Sequence, residues 1–236
     1  MISIVIAAHN GSQFLGDALA SIQAQQVEDK EILLVDDGST EELRTPPFVR
    51  RFQQARAGPG AARNHGIREA RGGLIAFLDI DDLWDSGHLR RLASAIESDP
   101  EAGIAQGLIR QLSGNRISGA YRMPYAGSCL FRREVLDRCG GFDETMALGE
   151  DYDLMFRCWE KDIVKIDVDA VSLIYRRHTA NITRGNHTQS HTIVLKRRLE
   201  RIRSGAADVS GKRRFRFQDY IGETEGANSW TAWSAS

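Results

Sequence analysis

Three aspartates stand within four residues, at Asp79, Asp81 and Asp82, directly after the apolar run Leu74–Leu78. Carboxylates crowded at the exit of a buried strand repel one another, and a divalent cation is the simplest relief. Oxygen donors alone point to a hard ion, magnesium or manganese. The competing reading makes these aspartates turn formers and N-caps for a helix beginning near Leu89. Glu150-Asp151 precedes a further apolar-periodic stretch. A carboxylate there can take a proton from a hydroxyl, or simply favour a helix start through the dipole. His178 follows Tyr175-Arg176-Arg177; it is either a polar core residue or a nitrogen ligand, which beside carboxylates leans toward manganese. Gly58-Pro59-Gly60-Ala61-Ala62-Arg63 looks like a phosphate loop, but Arg63 occupies the place of the third glycine. The loop also reads as following a helical patch rather than a strand, so NAD or FAD is not expected.

These residues need a scaffold that gathers them. Ile2–Ala8 and Glu31–Val35 are short, continuous apolar runs like Leu74–Leu78, and read as strands buried on both faces. Helical spacing of apolar residues intervenes, first at Phe14, Leu15, Ala18, Leu19 and Ile22. A second helix spans Ala61–Arg71, and a helical patch is expected after Pro46-Pro47. Alternation of strand and helix over the first hundred residues predicts a parallel sheet with right-handed crossovers. His9/Asn10, Asp36/Asp37 and Asp79/Asp81/Asp82 then leave on one edge, the carboxyl edge where open α/β sheets bind ligands. Further on, Gly103–Leu112 and Arg116–Arg122 read as a hairpin, and Glu134–Arg138 as a short helix stopped by Gly140. A helix follows Glu150-Asp151, and Val164–Val168 and Val171–Tyr175 read as two strands.

With 236 residues and a net charge of −1, the chain can bury a full core and shows no global bias toward nucleic acid. It lacks a leader-like N-terminus and any apolar run of membrane-spanning length, and Cys129, Cys139 and Cys158 lack metal-ligand spacing. A cytoplasmic protein with reduced thiols is expected. Basic stretches at Lys196–Arg203 and Lys212–Phe217, followed by Trp230 and Trp233, read as a solvated tail or as a peripheral contact with anionic membrane.

Several stretches together resemble the inverting, nucleotide-sugar-dependent glycosyltransferases of family 2. They are Ser3–Leu15 (SIVIAAHNGSQFL), Leu33–Thr40 (LLVDDGST), Gly58–Ile67 (GPGAARNHGI) and Phe77–Asp85 (FLDIDDLWD). Gly127–Glu144, Gly149–Leu154 (GEDYDL) and Tyr175–His178 (YRRH) continue the series in the same order. The resemblance implies a GT-A fold, α/β, with a Rossmann-like, mostly parallel central sheet flanked by helices. It adds a smaller antiparallel acceptor-side subregion and a C-terminal helix and tail. Residues 1–100 would form the nucleotide-sugar half, 101–185 the acceptor and catalytic half, and 186–236 the tail.

By the same resemblance, Asp151 is the general base with Glu150 beside it. Ala8, His9, Asn10, Asp36, Asp37, Arg63, Asn64, Asp79 and Ile80 border the nucleotide sugar. Asp81, His178 and Asp79 hold Mn2+ or Mg2+, and Gly127, Ser128, Asp82 and Trp84 face the acceptor. His9 departs from the aromatic residue common at that place. The implied reaction moves a sugar from a nucleoside diphosphate donor, UDP by default, to a hydroxyl of a glycan or lipid-linked saccharide, as in polysaccharide or cell-wall synthesis. A sugar-nucleotide nucleotidyltransferase is the nearest rival, but its glycine-rich loop after the first strand is replaced here by His9-Asn10-Gly11-Ser12. A catalytically silent nucleotide-binding relative is the other.

Overall fold

The computed structural model describes residues 1–179, 181, 187–206, 213–222 and 230–232, with side chains left out at 187–191 and 230–232. Residues 182–186, Lys212 and Trp233, and the side chain of Trp230, therefore lie outside what is described. The chain runs β1 (Ile2–Ala8), α1 (Ser12–Gln23), β2 (Lys30–Asp37), β3 (Val49–Gln54), α2 (Pro59–Glu69) and β4 (Leu74–Asp79). It continues through β5 (Leu83–Trp84), α3 (His88–Ser98), β6 (Ala102–Ser113), β7 (Arg116–Ser118), β8 (Cys129–Arg132) and α4 (Arg133–Cys139). Then come α5 (Glu150–Glu160), β9 (Val164–Arg176), α6 (His187–Arg203), α7 (Phe217–Ile221) and β10 (Trp230–Ala232).

The strands lie in the order β10-β7-β6-β8-β4-β1-β2-β3, with β9 against β5 and β6. β3, β2, β1 and β4 are mutually parallel. β8 inserts antiparallel between β4 and β6, so one sheet crosses the boundary expected near residue 100. Register places Ala8 beside Asp36 and Ala7 beside Asp79. The end of β1 and the two acid-bearing ends of β2 and β4 thus share one edge.

Alternation along the strands then sorts those acids between the two faces. Ile4, Ile6, Ala8 and Leu34 pack on the α1 side, whereas Val5, Leu33 and Phe77 pack with Ile67 of α2. Asp36 follows the first set; Asp37 and Asp79 follow the second. α2 lies hard against the sheet, because a Cβ at Gly66 would sit 2.2 Å from Val5 Cγ1. That approach is what drives the polar residues of α2 into the interior.

Three expectations are corrected. The stretch after Pro46-Pro47 is not helical: Val49–Gln54 is an edge strand paired with β2, and its alternating burial explains its polar half. Gly58-Pro59-Gly60 therefore does follow a strand, and only Arg63 separates it from the dinucleotide fingerprint. The two strands expected between Val164 and Tyr175 are one continuous β9, carried past its neighbour by register shifts. The second arm of the hairpin is shorter than expected, ending at Ser118, with Tyr121 bridging back to Ile109.

Candidate active site

A buried guanidinium sits at the centre of the carboxyl edge. Arg63, 3% exposed, donates from Nη2 to both oxygens of Asp79 at 2.8 and 2.9 Å, and from Nη1 to Glu150 Oε1 at 2.8 Å. Nη1 also lies 3.9 Å from Asp151 Oδ1. Glu150 and Asp151 occupy the first turn of α5, whose N-cap is Gly149 in the left-handed region. No side chain caps this helix, so the two acids meet the positive end of its dipole. Ala126 N–H approaches Asp151 Oδ1 at 3.3 Å. Burial pushes the Asp151 carboxyl up to about 7; Arg63 opposes the rise, and the charges of Glu150 and Asp79 add to it. A carboxylate poised there exchanges protons readily at neutral pH.

The remaining acids of the edge are held apart from Arg63. Tyr125 OH bridges Asp79 Oδ2 and Asp82 Oδ2 at 2.9 and 3.0 Å. Asp82 is fully buried and also accepts from Arg176 N–H at 2.9 Å; burial, then Asp81 and Asp79, raise its carboxyl well above the usual range. Asp81 lies 2.9 Å from His178 Nε2, with Asn181 Nδ2 at 3.4 Å. Burial and the Asp79 charge raise Asp81 too, against the pull of His178. His178 is stacked on Phe14, ring centres 4.8 Å apart. Among the described residues no three His, Cys, Asp or Glu side chains are grouped to hold a metal. Asp81 and His178 nevertheless offer one carboxylate and one imidazole, a pair that suits Mn2+ or Mg2+ when a ligand's oxygens and water complete the shell.

The chain matches the family model described as glycosyl transferase family 2 over residues 3–147. It belongs to that family. It is 32% identical to the succinoglycan biosynthesis protein ExoU of Rhizobium meliloti over 84% of its own length and 67% of that protein. In structure it resembles Staphylococcus aureus TarS solved with UDP-GlcNAc, at a TM-score of 0.71 and 17% identity, covering 89% of this chain and 68% of the other. It also resembles the Pyrobaculum calidifontis mannosyltransferase PcManGT solved with GDP-Man and Mn2+, at 0.68 and 19%, covering 83% and 64%. Across three curated relatives, the chain spans 52%, 67% and 63% of their lengths. The fold is the GT-A fold of these glycosyltransferases.

Within this family 2 chain, several residues given roles by the resemblance already hold contacts inside the fold. Asp36 is 1% exposed, accepts from Ser39 N–H and pairs with Arg51 at 2.9 Å. Asp37 is 4% exposed and accepts from Gln54, Ala57 N–H and Gly58 N–H, each at 2.8 Å. Both acids thus have donors from the surrounding scaffold. Asn64 likewise stitches α2 to the 140s loop, exchanging bonds with the Phe142 backbone and donating to Glu144. Asp82, Trp84, Gly127 and Ser128 are buried behind the site. Trp84 Nε1 donates to Gly127 O and stacks on His88, and Ser128 Oγ donates to Tyr125 O. These contacts join them to one another behind the acid cluster. Ala8 and Ile80 are buried strand-end residues, whereas His9 and Asn10 stay half-exposed. His9 Nδ1 meets Asp37 O at 2.9 Å, and Asn10 accepts from Thr40 N–H.

Three residues of the site carried no assigned role in the sequence reading. Tyr125, Arg176 and Asn181 fix the orientation of Asp79, Asp81 and Asp82. Arg176 donates from Nε to Asp81 O and from Nη1 to Asp17 Oδ2 at 2.7 Å. Its place beside His178 in the YRRH stretch was the one available signal; Tyr125 and Asn181 had none.

Proposed function

We propose that this chain is a metal-dependent, inverting glycosyltransferase that passes a sugar from a nucleoside diphosphate, UDP by default, to a hydroxyl of a glycan or lipid-linked saccharide. The observation that carries the reading is the joining of Asp151 and Asp79 to one guanidinium, beside the Asp81–His178 pair. Displacement at an anomeric carbon needs a base on one side of the sugar and charge neutralisation of the diphosphate on the other. Asp151 fills the first role, with Glu150 as neighbour. Asp81 and His178 fill the second by holding Mn2+ or Mg2+, which would screen the leaving diphosphate. Asp79 serves that side through Arg63 and Tyr125. The nucleotides named in the TarS and PcManGT structures, UDP-GlcNAc and GDP-Man, support a nucleotide-sugar donor.

A thermal-shift panel of UDP, GDP, dTDP and CDP with and without Mn2+ tests the donor and the metal together. One nucleotide is expected to raise the unfolding temperature only with metal. No shift with any of them removes the reading. Asp151→Asn then tests the base. It is expected to keep affinity for the selected nucleotide and to lose ~10²–10⁴-fold in transfer or in donor hydrolysis. Wild-type activity is expected to fall as the pH drops below about 7, as Asp151 takes up a proton. A pH-independent rate across that range would contradict the assignment.

We place the reaction in the cytoplasm, with the basic C-terminal segment touching anionic membrane. No helix among the described residues is long and apolar enough to cross a membrane. On α6, Leu195 and Leu199 are 53% and 52% exposed beside Lys196 and Arg203, a pattern that suits an interface. Flotation with vesicles containing phosphatidylserine is the check; recovery of all protein below the lipid layer sinks the idea.

A further inference from the structure

Arg63 carries a full charge inside the protein, where an unpaired guanidinium would be strongly disfavoured. Burial works against that charge, and Asp79, Asp151 and Glu150 more than offset it, so the group stays protonated. Its partners lie 16 and 87 residues away, one at the end of β4 and one at the start of α5. Cζ also sits 5.3 Å over the Phe142 ring, in the loop that leads toward α5. Both terminal nitrogens are engaged and the side chain is 3% exposed, so it offers a diphosphate no free fork. A second, thinner link runs parallel to it: Tyr125 OH holds Asp79 while the next residue's N–H approaches Asp151.

We propose that Arg63 is a positioning residue that clamps the donor-side Asp79 to the Glu150–Asp151 pair and so sets where the base stands. The inference rests on Asp151 being the base named above. A planar guanidinium can hold carboxylates on two sides at once, whereas a lysine ammonium on a flexible stem is a point charge that satisfies one side at a time. Loss of the clamp leaves donor binding to Asp81 and His178, but lets Asp151 drift from the line of attack, where misplacement of about an ångström costs ~10²-fold.

The test uses the full chain with Arg63→Met, Arg63→Lys and Asp151→Asn. Calorimetry of UDP with Mn2+ and the rate of UDP release from UDP-glucose, UDP-GlcNAc or GDP-mannose (with GDP as the product for the last) are measured on each. Arg63→Met is expected to bind nucleotide and metal within about threefold of wild type and to lose ~10²-fold in rate at saturating donor. Its acid limb is expected to move to higher pH, since the cation opposing protonation of Asp151 is gone. Arg63→Lys is expected to restore the acid limb and only part of the rate. Lost nucleotide binding with an intact saturated rate would make Arg63 a donor contact and overturn the proposal, as would a wild-type rate and pH profile in Arg63→Met. If that variant does not fold, Arg63→Met/Glu150→Gln, lacking one cation and one anion, takes its place. Full recovery of rate there would reduce Arg63 to charge balance, which also overturns the clamp; a persistent loss with intact binding supports it. Failure of the wild type to bind any nucleotide is a separate result, and removes the proposed function itself.

Discussion

Adjacent regions of the same sheet edge carry acid clusters after β2 and after β4, and the fold treats them in opposite ways. After β2, every carboxylate has a donor of its own. Asp36 has Ser39 N–H and Arg51, and Asp37 has Gln54 and two backbone N–H groups that lead into α2. Burial pushes the Asp36 carboxyl up, but these donors outweigh it and hold it below the usual range. After β4 the acids face one another, and burial first, then their mutual repulsion, pushes Asp81 and Asp82 up. The contrast separates aspartates whose charge the chain already compensates from aspartates whose charge it leaves opposed. A carboxylate that already has donors from the chain gains less from a new partner; one held against its neighbours is stabilised by any cation that arrives.

The largest effect is expected where the second cluster loses Asp81, the acid paired with His178. Asp81→Ala should weaken metal-dependent UDP binding by more than ~100-fold in calorimetry, since metal sites lose 10–100-fold even when a supporting partner is removed. Its folded carboxyl is raised, so ionising it costs the metal-free fold stability as pH rises. The metal-free variant should therefore unfold at the same temperature as wild type or above it. A large loss of stability without metal would mean that Asp81 is a latch like Asp37.

Asp37→Ala should do the reverse. It strands the Ala57 and Gly58 N–H groups and the Gln54 amide, so the cost is about 2–3 kcal/mol. For a chain of this size that lowers the unfolding temperature by roughly 5–10 °C. Metal-dependent UDP affinity should fall by less than ~tenfold. Calorimetry showing intact stability and lost nucleotide binding would restore Asp37 to the nucleoside contact that the family resemblance implied.

Why the sequence displayed the acids but not their partners follows from range. β1, β2 and β4 were legible because buried parallel strands are continuous apolar runs, and their shared direction put the acids on one edge. β3 was not, because an edge strand buries one face and Arg50, Arg51, Gln53 and Gln54 break the apolar pattern. Yet Arg51 and Gln54 of that strand are what hold Asp36 and Asp37. β8 is four residues of a sequence that reads equally as pocket lining, and it proved to be core between β4 and β6. Arg63 reads as a residue at a helix start bordering the nucleotide until Gly66 brings α2 onto Val5 and Glu150 arrives from 87 residues away. Residue types announced the charges; only packing across the sheet decided which would be neutralised.

The smallest expected effect separates charge from shape within the first cluster. Asp36→Asn keeps an oxygen for Ser39 N–H but turns an amide toward Arg51, so it removes the ion pair and little else. The folded carboxyl sits below its ordinary value of 3.8, so ionised Asp36 stabilises the fold above that pH and the gain disappears as pH falls through the folded value. Arg51 is 34% exposed, which lets solvent screen the pair and keeps the contribution to about 1 kcal/mol or less. Urea unfolding should show wild type more stable than Asp36→Asn at pH 7 and the two converging as pH falls through the lowered folded value, with the gap at pH 7 shrinking in high salt. A gap that does not change with pH over the acid range would place the role of Asp36 in the geometry of the Ser39 turn rather than in its charge. The β2 cluster would then be a latch of hydrogen bonds alone, leaving the β4 cluster as the one place on this edge where charge itself is the working quantity.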